Sequence, residues 1–196
     1  MHRLTDKPFG YEPEIVSSNL AVTANFSKGE KLIMFKTAQG QTISVSDIAK
    51  RIFGIIMSDK DGSYEITVGT DSQNFDRTKI VEVIAIHKKG KGGTYFYNVE
   101  FIRLITNLWQ KINEETSRSL FIANDLFDAL EELFLENDML LEDLDISFRI
   151  HCDIGRSGKT NVLIKEVVSW VTSRGYVCLI KPDSYAASGI ADRYSK

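Results

Sequence analysis

Cysteine is scarce in this chain, long apolar runs are missing, and neither sign of charge prevails. The two cysteines, Cys152 and Cys178, each sit among apolar neighbours in a predicted strand. They read as small core residues rather than as a disulfide framework. Neither has another Cys or His at ligand spacing, so a zinc site has no donor set to draw on. No run approaches the roughly 18 apolar residues of a membrane span, and no charged-then-apolar leader opens the chain. The expectation is a cytoplasmic protein in a reducing setting. Lys and Arg number 24 against 27 Asp and Glu, a net charge of −3. With no global basic field, any nucleic-acid contact must rest on a local patch.

What is present is enough for one core. With 43% hydrophobic and 26% charged residues in 196, the chain reads as one globular domain rather than two. Residues 1–45 divide into an irregular arm, with Pro8, Gly10, Pro13 and Gly29, and a small hairpin in which EKLIMFKT and QTISV flank AQGQ. The domain itself is expected over residues 46–196. A helix from about Asp47 to Met57 shows one apolar stripe of Ile48, Ile52, Phe53, Ile55 and Ile56, with Ser46 as its expected cap.

Three strand signals follow: YEITVGTD (64–71), KIVEVIAIH (79–87) and TYFYNVEF (94–101). The turn KKGKGG joins the second and third as an antiparallel pair. From Phe101 to Glu136 there is neither Gly nor Pro, and apolar residues recur at helical spacing. The last third reads as a strand (145–153), a helix (159–173, with Val162 and Leu163 among its inward residues) and a strand (176–182). Strand, helix, strand implies parallel pairing through a right-handed crossover. The sum is an α/β fold: a mixed five-stranded sheet, three strands antiparallel and two parallel, flanked by helices and preceded by an N-terminal extension. That is the layout of the RNase H-like fold.

HCDIGRSGKT (151–160) ends in the letters of a phosphate-binding loop. Such a loop needs G-x-x-x-x-G-K-[ST], whose glycines let backbone N–H groups wrap the phosphates. The first glycine should stand at 153, where this chain has Asp153. A carboxylate there repels the anion. A nucleotide hydrolase is therefore the weakest of the functional readings, and the question becomes what the aspartate does.

Side chains alternate along a strand, so Asp71 shares a face with Thr67 and Gly69, and Asp153 with Arg149 and His151. If the two strands are neighbours, both acids end at one sheet edge, where they repel unless a cation sits between them. On the long helix, Glu115 follows the inward Ile112 by three residues, whereas Glu114 lies with Asn107, Lys111 and Arg118 on the outer side. Each acid has a plainer reading: a turn for Asp71, a helix cap for Asp153, a surface ion pair for Glu115. His87 and His151 read as ordinary strand histidines. Lys88, Lys89 and Lys91 make a solvated turn, or, beside a groove, a phosphate contact.

The stretches VGTDSQ (68–73), KKGKGGTYFYN (88–98), HCDIGRSGKT, KPDSYAAS (181–188) and ADRYSK (191–196) resemble the bacterial YkuK-type family of predicted RNase H-like nucleases. The resemblance runs from about Phe35 to the C-terminus. It implies an RNase H-like fold without naming a substrate; a nuclease of that class would take nucleic acid, with DNA, RNA and hybrid all left open. Similarity to active enzymes of that fold implies acids at Asp71, Glu115 and Asp153, with Asp192 as the fourth and Asp183 competing for that role. It implies Mg²⁺ or Mn²⁺ as cofactor, since hard oxygen donors suit those ions. Gln73 with Lys88, Lys89 and Lys91 would then contact the nucleic acid. A noncatalytic nucleic-acid-binding or partner-binding domain on the same fold is the alternative.

Overall fold

The structure, a computed structural model, describes residues 33–157 and 159–195. The arm expected over residues 1–30 lies outside them. Seven strands form one sheet in the order β2-β1-β5-β4-β3-β6-β7. They are β1 (Met34–Thr37), β2 (Thr42–Ser44), β3 (Tyr64–Asn74), β4 (Thr78–Lys88), β5 (Gly92–Ile102), β6 (Ile146–Cys152) and β7 (Val177–Leu179). Helices α1 (Val45–Met57), α2 (Leu108–Leu135), α3 (Ile164–Ser173) and the short α4 (Asp192–Ser195) complete the fold.

The expectation of five strands is corrected to seven. The hairpin β1–β2 does not stand apart. It extends the sheet by pairing β1 antiparallel with β5, through Lys36 with Tyr97 and Thr37 with Phe96. Burial explains the attachment: Phe35 and Ile43 alternate with exposed residues and insert beneath α1 beside Ile48 and Ile52. Within the rest, β3 lies between β4 and β6. It runs antiparallel to β4 and parallel to β6, and β6 runs parallel to β7.

Helix boundaries moved where a strand or loop claimed the residues. α1 begins at Val45 because β2 runs straight into it, so Ser44 rather than Ser46 caps it. The Ser44 hydroxyl accepts the Asp47 amide at 3.1 Å and the Asp47 carboxylate reaches back to the Ser44 amide. α2 starts seven residues later than the apolar spacing suggests. Phe101 and Ile102 complete β5, and Asn107 caps the helix by accepting the Gln110 amide at 3.0 Å. At α3 the expected inward Val162 is 83% exposed and precedes the helix, leaving Val167 and Val171 as its buried anchors.

The two faces of the sheet differ. Even-numbered residues of β3, β4 and β6, including Ile66, Val68, Ile84, Ile86 and Ile150, pack under α1, α2 and α3 in the main core. Odd-numbered Val81, Val83 and Ala85 meet Ala186 and Ala191 of the C-terminal segment. There Tyr194 stacks on Tyr97 with centroids 3.9 Å apart. His151, on the same face, accepts the Ala186 amide on Nδ1 at 3.1 Å. Burial pushes its pKa down to about 4, in keeping with a neutral acceptor. Among the described residues, no helix is long and apolar enough to cross a membrane.

A carboxylate cleft at one end of the sheet

The parallel pairing of β3 with β6 places Thr70 opposite Cys152. One residue further along each strand stand Asp71 and Asp153, side by side at the strands' C-terminal ends. Glu115 comes to them from α2. The helix phase that buries Ile112 and Thr116 also buries Glu115, which is 8% exposed, as is Asp71. The three acids share a cleft of about 990 Å³, with Asp183 on its wall. They come from three segments that are distant in sequence.

Their partners divide them by face. Ser72 points toward α2 and its hydroxyl donates to Glu115 Oε1 at 2.6 Å. Asp71 points the other way, and its Oδ2 accepts the Ser195 hydroxyl of α4 at 2.8 Å. Lys181 Nζ, from the loop after β7, lies 2.9 Å from Asp153 Oδ1. Lys111 Nζ donates to the Ser72 carbonyl at 2.5 Å. The carboxylates are thus held by hydroxyls and ammonium groups. Among the described residues, no three Asp, Glu, His or Cys side chains stand as a ready-made metal-ligating group.

The electrostatics show a cluster short of counter-charge. Burial, and then repulsion from Asp71 and Asp153, pushes the Glu115 pKa up to about 8, against the opposing Ser72 hydrogen bond. Burial also raises Asp71, with Asp153 adding to it and the Ser195 hydroxyl resisting. Two lysines at the edge of the cluster do not undo this. Oxygen donors, partial burial and mutual repulsion are what a hard divalent cation relieves, so the residues present fit Mg²⁺ or Mn²⁺.

Several residues were not foreseen from the sequence. Lys111 was expected on the outer helix face, yet its long stem carries the ammonium round into the cleft. Its signal was the i,i+4 spacing to Glu115. Arg118, expected on the same outer face, instead joins Glu114, Glu82 and Glu100 at 2.7 to 2.9 Å in an ion network on the helix side of the sheet. Lys181 and Ser195 lie within the motifs KPDSYAAS and ADRYSK, though nothing in their spacing announces a role.

The fourth acid divides in position. Asp183 lines the cleft. Asp192 does not; it opens α4 one turn before Ser195, whose hydroxyl also donates to the Asp192 carbonyl at 3.1 Å. Gln73 lies two residues beyond Asp71 on the same face of β3. The structure does not bring the lysine turn to the cleft. Lys88 pairs with Tyr64 at the opposite end of β3, seven residues or ~23 Å from Asp71. There Lys88 is ion-paired with Asp59, and Lys91 lies 3.5 Å from the same carboxylate.

The glycine loop has found a different use. Gly155, Arg156, Ser157 and Thr160 line the cleft beside the acids. The loop closes on itself, with the Gly155 amide donating to Thr160 Oγ1 at 3.3 Å. The Gly155 amide is thus engaged within the loop, and Asp153 stands where a phosphate cradle has its first glycine. ATP and GTP should bind no more tightly than inorganic phosphate in calorimetric titrations. Saturable ATP binding that Lys159→Ala abolishes would restore the nucleotide reading.

Comparison with known proteins bears on the fold and the family. Residues 47–196 match the family described as Ribonuclease H-like. The chain is 34% identical over 173 residues to the uncharacterized protein YkuK of Bacillus subtilis (strain 168), covering 85% of this chain and 99% of that protein. No solved structure matches. Family match, relative and sheet order together make this chain a member of the YkuK-type branch of the ribonuclease H-like family.

Proposed function

We propose that this protein is a metal-dependent nuclease that hydrolyses phosphodiester bonds of nucleic acid. One observation carries the reading: Asp71, Glu115 and Asp153, from two adjacent parallel strands and the helix beside them, converge in one cleft, where burial and neighbouring carboxylate charge raise the pKa of Glu115 and of Asp71. Burying carboxyl groups together is costly, and such clusters mark functional sites. Family membership supports a nucleic-acid partner.

Asp71, Glu115 and Asp153 would hold Mg²⁺ or Mn²⁺, with Asp183 or Asp192 as a further carboxylate. When bound, such ions supply the Lewis acidity that activates water and steadies the leaving oxygen. Ser72 and Ser195 keep two of the carboxylates oriented by their hydrogen bonds. Arg156 on the rim, with Lys111 and Lys181, offers cations to the phosphate backbone. Lys181 would exchange its ion pair with Asp153 for a phosphate as substrate and cation enter.

A second reading, a noncatalytic nucleic-acid-binding domain, draws support from that same ion pair, because an ammonium already stands against Asp153. Thermal melting with and without Mn²⁺ separates the two. Under the nuclease reading, Mn²⁺ raises the melting temperature by mass action, and Asp71→Asn loses most of the shift. Identical responses of wild type and variant would remove the metal site.

A further inference from the structure

Beyond Asp71 the sheet continues into a surface that the cleft does not use. On the face that carries Asp71, the next cross-strand row is Gln73 of β3, Lys79 of β4 and Phe101 of β5. It lies two residues, or ~7 Å, past the row that contains Asp71. Phe101 is 47% exposed, and the Arg77 guanidinium stands 5.3 Å from its ring centroid. Phe75, in the β3–β4 turn, is 50% exposed. Leu104 is also exposed, and the exposed Leu108 is itself part of the cleft wall.

These side chains are not on a fraying end. The turn is closed by the Phe75 amide donating to the Arg77 carbonyl at 2.8 Å. The segment that leads into α2 is strapped to it, with Asn74 Nδ2 donating to the Ile105 carbonyl and the Ile105 amide to Thr78 Oγ1, both at 2.7 Å. Hydrogen bonds thus frame a turn and strand end that present two phenyl rings to water, each at a cost in apolar exposure, with a guanidinium over Phe101 and the Asp71 row one cross-strand step away. Exposed apolar patches of this kind mark contact surfaces. Aromatic faces combined with cations suit unpaired nucleotides, whose bases can stack on the rings while the backbone meets the positive charges. In a duplex the bases are already stacked on one another, so the rings would gain little.

We propose that Phe75 and Phe101, with Arg77 and Gln73, form a stacking platform for single-stranded nucleic acid that leads the unpaired strand to Asp71. The inference rests on the proposed nuclease reading for its direction, because it makes the substrate one with an unpaired segment beside the cut. The platform itself is read by binding in EDTA, where no cleavage intervenes.

The test is fluorescence anisotropy with labelled single-stranded DNA, single-stranded RNA and blunt duplex of matched sequence. Wild type binds single strands more tightly than duplex. Phe75→Ala and Phe101→Ala each weaken single-strand binding on the order of ten-fold or more, in line with the loss of one stacked base. Phe75→Trp restores affinity and its emission is quenched on binding, whereas Phe75→Leu, which keeps apolar bulk without a ring, does not restore it. Melting temperatures exclude unfolding as the cause. Single-strand affinity unchanged in both alanine variants, full restoration by leucine, or equal affinity for duplex would overturn the platform. If wild type cuts no substrate yet the two alanine variants lose single-strand affinity, the nuclease reading fails and the platform stands. If wild type cuts and the alanine variants bind as it does, only the platform fails.

Discussion

Asp71→Asn should cut phosphodiesters at no more than about one-thousandth of the wild-type rate, because several kcal/mol of transition-state stabilisation depend on the cations it would hold. The fold should survive. Asp71 pairs with Val81 through the β3–β4 backbone, and an asparagine oxygen can still accept the Ser195 hydroxyl. What changes is charge alone. Burial already disfavours the ionised Asp71, so the amide is easier to bury than the carboxylate. In EDTA the variant should therefore melt no lower than wild type. Initial rates on a cleavable oligonucleotide, read beside melting curves in EDTA, check both halves; an active Asp71→Asn enzyme would take Asp71 out of the chemistry.

The second large effect is on stability against pH, and it comes from Glu115. Its pKa rises from an ordinary 4.5 to about 8 in the folded protein. Below the lower value it is protonated in both states and contributes no pH dependence. Between the two values the folded state holds a proton that the unfolded state has lost, so stability falls as pH rises. The loss is complete only above about 8, and is on the order of a few kcal/mol for a buried group shifted this far. Glu115→Gln cannot ionise and should remove most of that slope. Denaturant melts in EDTA at pH about 5 and about 8 should show wild type losing stability and Glu115→Gln holding level. Adding Mn²⁺ at the higher pH should return stability to wild type only. A wild-type profile that is flat in EDTA would mean the cleft bears its charges without strain.

Much of this was open to reading from the sequence. Alternation in YEITVGTD and DISFRIHCD set the face of Asp71 and of Asp153 and brought them together on the condition that their strands are neighbours, a condition the parallel pairing of β3 with β6 meets. Helical periodicity was sufficient to turn Glu115 inward. The position of the lysine turn was also deducible, since an antiparallel partner ends where β3 begins; its charge carries no such information. Other features had no local signature. Lys181 reaches Asp153 only because the loop after β7 folds back, its amide donating to the Ile154 carbonyl at 2.8 Å. Ser195 depends on the C-terminal segment crossing the sheet face. A short strand such as β1 shows too few alternations to announce which strand it will join, so the sheet gained two members that pattern alone left as a separate hairpin. The late start of α2 has the same root: Phe101 and Ile102 fit a helical stripe as well as a strand, and pairing with β4 decided between them.

The central claim is that the carboxylate cleft cuts nucleic acid, and direct cleavage tests it. Purified protein is incubated with Mg²⁺ or Mn²⁺ on single-stranded, duplex, hybrid and branched DNA and RNA, and the ends of the products are identified. The account predicts 5′-phosphate and 3′-hydroxyl ends, formed by in-line attack of water on phosphorus, and their loss in Asp153→Asn. Folded wild-type protein that binds these substrates yet leaves every one uncut with either metal would contradict it.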